Sequence, residues 1–335
     1  MNYRLFAGID VSKLKIDVVF FLAENPDNEF HELFENTDEG CSKMIAWINS
    51  LTGLLISDML FCAEDTGLYT LPICTFFDDH GGNLWVENAL RLKRSLGLKR
   101  GKSDKADAAE IANYGFLHRR KAVIFKLPGK TISKLKHLLS CRKQLVKQQT
   151  ALKNTCGELE IFDKESAGFT LEIRESLIKE YDKKIDMVEA KLLAYVKEDD
   201  ILEKQYYLVK SVHGIGSQTA MFIVVLTQGF TMFDDYRKFA CYCGLAPFGN
   251  TSGTTLKGKP KVSHLANKRI KTLLTMCALN TIKKDNEFKR YYDRKIKEGK
   301  HHSAVLNVLR NKLVSRAFAA VLKDRPYEKD YHIAA

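Results

Sequence analysis

Long apolar runs are missing from this sequence. The longest, 18–23 and 220–226, are six and seven residues in a chain of 335, whereas a helix needs about 20 to cross a bilayer. No membrane partner is expected. Proline and glycine are scarce as well, at 6 and 20 residues, which excludes collagen-like and low-complexity chains. None of the eight cysteines stands in a CxxC pair, and Cys241 and Cys243 are too close for a zinc knuckle. Reduced thiols in a cytoplasm follow, without structural zinc. Met1 to Asp10 carries an acid where an export leader is apolar, so secretion is not expected either.

Charge is what the chain has in quantity, and it comes in blocks. The net of +12 hides −11 over residues 1–90, +15 over 91–153, −6 over 154–206 and +14 over 207–335. Two strongly basic blocks around an acidic one favour a polyanion, because each neutralised phosphate releases a counterion. A solvated basic surface is the plain alternative.

Hydrophobic spacing divides the chain into three. Short β-rich runs at 3–9, 16–22 and 29–34 read as an antiparallel meander. Helix, strand, helix, strand and helix follow at 40–51, 59–63, 68–77, 83–86 and 103–117, so residues 1–125 are expected to be an α/β domain. Over 126–205, Leu138, Leu145, Leu152 and Leu159 recur every seven residues, with Arg142 and Gln149 interrupting the companion row of Leu135 and Cys156. A second helix through Ile178, Tyr181, Ile185, Val188 and Leu192 makes this an antiparallel coiled-coil hairpin or a pair of ordinary core helices. Residues 206–335 read as mostly helical. They include Val212-His213-Gly214-Ile215-Gly216, where Gly214 and Gly216 form a turn that can offer backbone N–H groups to a phosphate or simply join two helices.

Four acids stand out by position. Asp10 and Glu64 end the first and fourth strands, and Asp104 and Asp107 share one face at the start of a helix. Brought together, each pair would repel by roughly 3 kcal/mol, at about 5 Å and an effective dielectric near 20. A hard cation, Mg²⁺ or Mn²⁺, would relieve that repulsion. Singly, each has a plain reading: Asp104 as a helix cap, Glu64 as a lysine partner, Asp10 in a turn. Asp17 and Asp65 rank below these four.

The segments Gly8-Ile9-Asp10-Val11-Ser12-Lys13, Glu64-Asp65-Thr66-Gly67-Leu68-Tyr69 and Ser103-Asp104-Lys105-Ala106-Asp107-Ala108 resemble the DEDD transposases of bacterial insertion sequences. These are bridge-RNA-guided serine recombinases related to the Piv-type DNA invertases. Gly244-Leu245-Ala246-Pro247 and Thr251-Ser252-Gly253-Thr254 extend the likeness over nearly the whole chain. The resemblance implies an RNase H-like (RuvC-like) first domain, a coiled-coil arm and a C-terminal transposase domain with a serine nucleophile. Asp10, Glu64, Asp104 and Asp107 match its metal-binding acids and Ser252 its nucleophile. One departure concerns the family's Gly-Asn and Leu-Arg pairs, replaced by Ala266-Asn267 and Ile270-Lys271. Lysine there loses the planar fork of arginine.

The resemblance further implies donor and target DNA, a structured non-coding RNA, and a homo-oligomer, a dimer assembling to a tetramer, in a prokaryotic, nucleoid-associated setting. Lys99, Arg100, Lys102, Lys105, Lys257, Lys259, Lys261, Lys268, Arg269 and Lys271, with the two glycines of the turn, are the expected nucleic-acid contacts. Gly249, Gly253 and Gly258 leave room for close backbone approach around Ser252. A metal-dependent Holliday-junction resolvase using water, a non-enzymatic nucleic-acid binder and an invertase without guide RNA are the alternatives.

Overall fold

The computed structural model describes residues 3–95, 103–163, 165–252, 256–262, 266–283 and 285–328. Side chains of 250–252, 256, 257, 259 and 261 stand outside that description. The chain divides into two compact units, 1–127 and 128–335.

In the first unit β1 (Leu5–Val11), β2 (Lys15–Leu22) and β3 (Asn25–Glu35) form the expected meander. After them come α1 (Asp38–Thr52), β4 (Met59–Glu64), α2 (Leu71–His80), β5 (Leu84–Glu87), α3 (Ala89–Ser95) and α4 (Asp104–His118). The sheet order is β3-β2-β1-β4-β5, with β4 parallel to β1 and β5 parallel to β4. This mixed sheet fits the RNase H-like fold that the resemblance implies; α3 was not anticipated. Alternation along β1 sends Leu5, Ala7 and Ile9 to one face, where Met44 and Ile48 of α1 and Ile73 and Phe77 of α2 cover them. On the other face Phe6, Phe21, Leu60, Cys62 and Trp85 lie with Ile111, Ala112 and Tyr114 of α4.

Gly8 makes the second of these contacts possible. A Cβ at Gly8 would fall 2.0 Å from the carbonyl oxygen of Ala108 and 2.2 Å from the nitrogen of Ala112. The helix backbone rests directly on the strand, so the residue two beyond Gly8 and the first turn of α4 arrive at the same end of the sheet.

The second unit begins with α5 (Lys130–Phe162) and α6 (Gly168–Lys197), which pack along each other. Arg142 Nε donates to Glu189 Oε1 at 2.7 Å, Gln149 Nε2 to Asp182 Oδ1 at 2.5 Å, and Cys156 clusters with Leu171. The pairings run in opposite directions along the two helices, so this is an antiparallel hairpin. The leucine row at 138, 145, 152 and 159 is only half-buried; Leu135, Gln149 and Cys156 of the companion row are the deeper ones. The residues that break the companion row are therefore not exposed defects but polar layers matched by acids on α6.

Then follow α7 (Asp200–Ser211), α8 (Ser217–Leu226), α9 (Tyr236–Tyr242), β6 (Pro247–Ser252), β7 (Leu256–Val262), α10 (Lys268–Thr281), α11 (Glu287–Lys297) and α12 (His302–Leu322). Ile132, Leu135, Leu139, Leu192 and Val196 at the root of the hairpin share one core with Tyr206, Phe239, Leu274 and Leu313. Hairpin and C-terminal helices thus form a single unit. Among the described residues no helix is long and apolar enough to cross a membrane.

Candidate active site

Strand register lines up acids at one end of the sheet. Asp10 pairs directly with Asp17 across β1 and β2. Ile9 pairs with Ala63, which puts Glu64 of β4 beside Asp10, and Glu64 pairs in turn with Glu87 of β5. All four occupy the face that α4 covers, since Asp10 follows Gly8 and Glu64 follows Cys62 by two residues. The helix adds Asp104 and Asp107 from its first turn, where Ser103, not Asp104, is the cap: its hydroxyl accepts from Ala106 N at 3.2 Å.

The electrostatics register this crowding. Burial pushes the Asp10 carboxyl up to about 6, helped by Asp107, Asp104, Asp17 and Glu64 in decreasing order. The other three sequence-selected acids are therefore near enough to act on the charge of Asp10, and so is Asp17. Asp17 is buried and held by Lys15 Nζ at 3.5 Å and His31 Nε2 at 3.2 Å; the same Lys15 ammonium reaches Asp104 at 3.2 Å. Glu87 is committed elsewhere, accepting from Tyr114 Oη at 3.1 Å. Asp65 turns away to accept from Gly67 N. Only the register of β5 against β4 could have revealed Glu87.

An all-carboxylate set in which burial, with the neighbouring acids, raises Asp10 to about 6 suits a hard divalent cation. Yet among the described residues no three His, Cys, Asp or Glu side chains already converge to hold a metal ion. The donors fit in kind and place rather than as a closed cage.

The remaining expected contacts are dispersed. Lys99, Arg100 and Lys102 lie outside the described residues; Lys105 is exposed on α4. Gly214 has φ +93 and a Cβ there would meet Thr281 Cγ2 at 2.3 Å, so the turn requires glycine. Gly216 caps α8 with open space around it, at a cleft of about 580 Å³ that Lys283 also lines. Lys257, Lys259 and Lys261 lie on β7, of which only the backbone is described at these positions. Ser252 ends β6 opposite Leu256, again as backbone alone. Gly249 sits at an irregularity in this ribbon, between Phe248 and Asn250, with open space where a side chain would be. Lys268 is exposed, whereas Arg269 is engaged inside the unit, its guanidinium 4.5 Å over the Phe222 ring and donating to the Leu139 carbonyl at 3.4 Å.

Comparison with known proteins gives a consistent picture. Residues 7–159 match a transposase model, that of the DEDD transposases of the IS110 group, and residues 206–293 match the Transposase IS116/IS110/IS902 family. Two pilin gene-inverting proteins, from Moraxella lacunata and Moraxella bovis, are each 23% identical over 337 residues, covering 98% of this chain and 99% of theirs. An insertion element IS110 uncharacterized 43.6 kDa protein of Streptomyces coelicolor is 30% identical over 121 residues, 36% of this chain and 30% of its own length. With both family models matched in order and relatives aligned from end to end, the chain belongs to the IS110 family of transposases, enzymes of DNA recombination.

Proposed function

We propose that this transposase cuts and rejoins DNA through a 5′-phosphoserine on Ser252, with Mg²⁺ or Mn²⁺ held by Asp10, Glu64, Asp104 and Asp107. The observation that carries the reading is the crowding around Asp10: acids from two adjacent parallel strands and one helix meet where their mutual repulsion calls for a cation. A bound divalent ion would supply charge neutralisation at a phosphoryl oxygen and acidify a nearby hydroxyl. Ser252 Oγ attacks phosphorus, an Oγ–P bond forms and the P–O3′ bond breaks, and the departing 3′ oxygen takes up a proton. In the reverse step a 3′ hydroxyl attacks the phosphoserine and releases the serine. Bond energy is kept in the ester, so rejoining needs no ATP.

Ser252 and the acids belong to different units of the chain. A composite site, with acids from one subunit and serine from another in a dimer or tetramer, agrees with the resemblance. The same likeness supports guidance by a bridge RNA, for which the basic block at 91–153 offers backbone contacts, and a coiled-coil role for the α5–α6 hairpin. A second reading, inversion of a DNA segment without RNA, is favoured by the end-to-end match to the two pilin gene-inverting proteins.

Adduct capture tests the chemistry. The chain is incubated with its flanking DNA and Mg²⁺, denatured, and assayed for labelled 5′ ends on protein. The expected result is an adduct in the native chain and none in Ser252→Ala or Asp10→Ala. Cleavage without adduct that survives Ser252→Ala would sink the serine mechanism and leave a nuclease using water. Adding or withholding the element's non-coding RNA separates the guided from the unguided reading.

A further inference from the structure

Residues 236–284 run for 49 positions without an Asp or Glu while carrying ten Lys or Arg, and 299–323 also lack acids. The helices α10 and α12 fall in these two stretches and pack on each other. Among the half-buried cations they carry are Lys271 on α10 and Arg310 on α12. Among the described residues the Lys271 ammonium has no partner. Arg310 has only the neutral Asn307 Oδ1, one turn back on its own helix, at 3.3 Å from Nη1. Its Nε is buried with no hydrogen-bond partner. Burial lowers the pKa of both groups, and Arg310 lowers that of Lys271 further.

Two repelling, partly desolvated cations without an acid oppose folding of the free protein. Their location suggests what offsets the cost. Asn307 and Asn311, flanking Arg310, both donate to the Leu245 carbonyl, at 2.8 and 3.3 Å. Leu245 stands two residues before β6, so the pair lies at the root of the ribbon that ends in Ser252. A phosphodiester presents one negative charge and two non-bridging oxygens, which suits a guanidinium edge beside an ammonium. From Pro247 to Ser252 an extended strand covers about 17 Å, some five base steps along a duplex at about 3.4 Å each. The phosphate is thus a flanking one, not the one cut.

We propose that Lys271 and Arg310 form a phosphate seat at the root of the β6–β7 ribbon, and that its ligand is a backbone phosphate of DNA. The choice of DNA rests on the recombinase reading; the seat itself rests on the unpaired cations.

The test is anisotropy titration of the full chain with a labelled 40-base-pair DNA duplex of arbitrary sequence over a KCl series. Lys271→Met and Arg310→Met are each expected to weaken binding about tenfold and to reduce the slope of log K against log salt by about 1. Lys271→Arg should bind like the native chain. The melting temperature of the free protein should hold or rise in both methionine variants, because an unpartnered charge has been removed. Unchanged affinity and slope would overturn the seat, as would weakened binding accompanied by a lower melting temperature in both variants. A loss confined to duplex RNA run in parallel would overturn the assignment to DNA. If the native chain forms no adduct but these variants still lose DNA affinity, the phosphoserine mechanism fails while the seat stands.

Discussion

The two units carry opposite versions of the same electrostatic problem. In the first, Asp10 sits among Asp107, Asp104, Asp17 and Glu64, and the carboxyl keeps its proton to about pH 6. In the second, Lys271 and Arg310 stand on helices without a single acid, and both hold their protons less tightly than usual. Like charges gathered where counter-charges could easily have been placed are costly to the free fold. Elsewhere this chain does supply counter-charges: Arg142 has Glu189 and Arg316 has Glu287. The contrast teaches that charge left under-compensated is informative: among the described residues Asp17 and Asp104 share Lys15 and His31, and Lys271 and Arg310 have no acid. The proposed reading puts a cation at the acidic sheet end and a polyanion at the basic helices.

The comparison breaks most severely at Gly8, on which the whole acidic end depends. Gly8→Ala puts a methyl against helix backbone, which cannot rotate away as a side chain could. A loss of about 3 kcal/mol or more is expected, with α4 displaced and Asp104 and Asp107 drawn away from Asp10. The chain's two tryptophans, Trp47 and Trp85, both lie in the first unit, so denaturant unfolding followed by their emission reports that unit selectively. A midpoint within about 0.5 kcal/mol of the native chain would show that α4 does not rest on β1 as described.

Next in size is the pH response of the same unit without metal. Asp10 is an acid whose folded-state value, about 6, lies above its ordinary value of 3.8. The folded chain therefore holds an extra proton between about pH 4 and 6. Stability from this group is full below pH 4 and is lost as pH rises through 6. A rise from 3.8 to about 6 corresponds to about 3 kcal/mol at full burial, and about 1–2 kcal/mol for a half-buried group. Asp10→Asn should flatten that fall and be the more stable chain at pH 7. Mg²⁺ or Mn²⁺ should raise the native midpoint at pH 7 and leave that of Asp10→Asn nearly unmoved. A native chain equally stable at pH 4 and 7 would mean that the acids do not crowd Asp10.

Much of the acidic end was legible because it is written in local patterns. A strand that ends in an acid, or a helix that opens with acids three apart, can be read within ten residues, and Asp10, Glu64, Asp104 and Asp107 were all found so. The rest depends on register, which no local pattern carries. Asp17 ranked low because only its pairing with Asp10 across β1 and β2 brings it in, and Glu87 went unnoticed because it pairs with Glu64 on a strand of four residues. The ribbon of β6 and β7 was not anticipated, since Gly, Lys and Pro are prominent in it and no alternation of apolar residues marks it. Arg310 was missed for the opposite reason: a basic residue in a basic block looks ordinary until its missing partner is seen.

A smaller effect probes the paired side of the comparison. Arg142 and Glu189 join α5 to α6 with both Nε and Nη2 of the arginine near one carboxylate oxygen, at 2.7 and 2.6 Å. Their side chains are 21% and 33% exposed, so the pair is neither fully screened nor fully desolvated. Arg142→Leu or Glu189→Leu alone should cost about 1 kcal/mol, and the double variant should recover most of it as an apolar layer. Helix unfolding by circular dichroism measures the cycle. Additive losses would show that the two residues do not interact, and the polar layer would then contribute nothing to hairpin register.

The smallest expected change in stability is at Lys15, and it sharpens the comparison most finely. Its ammonium is the only positive group bonded to Asp104 among the described residues, and it bridges to Asp17, with 44% of its side chain exposed. An exposed pair of this kind adds little to stability, so Lys15→Met should scarcely move the tryptophan-reported midpoint. Its effect on cation binding has a different origin. Lys15 is a built-in counter-ion for the acids, and a divalent ion reaching Asp104 must compete with it. Removing it leaves the carboxylates more negative in sum, so Mn²⁺ affinity measured by calorimetry should rise a few-fold, while Lys15→Arg keeps native affinity. Weaker Mn²⁺ binding in Lys15→Met would reverse the assignment: the lysine would then be orienting Asp104 for the ion rather than standing in its place.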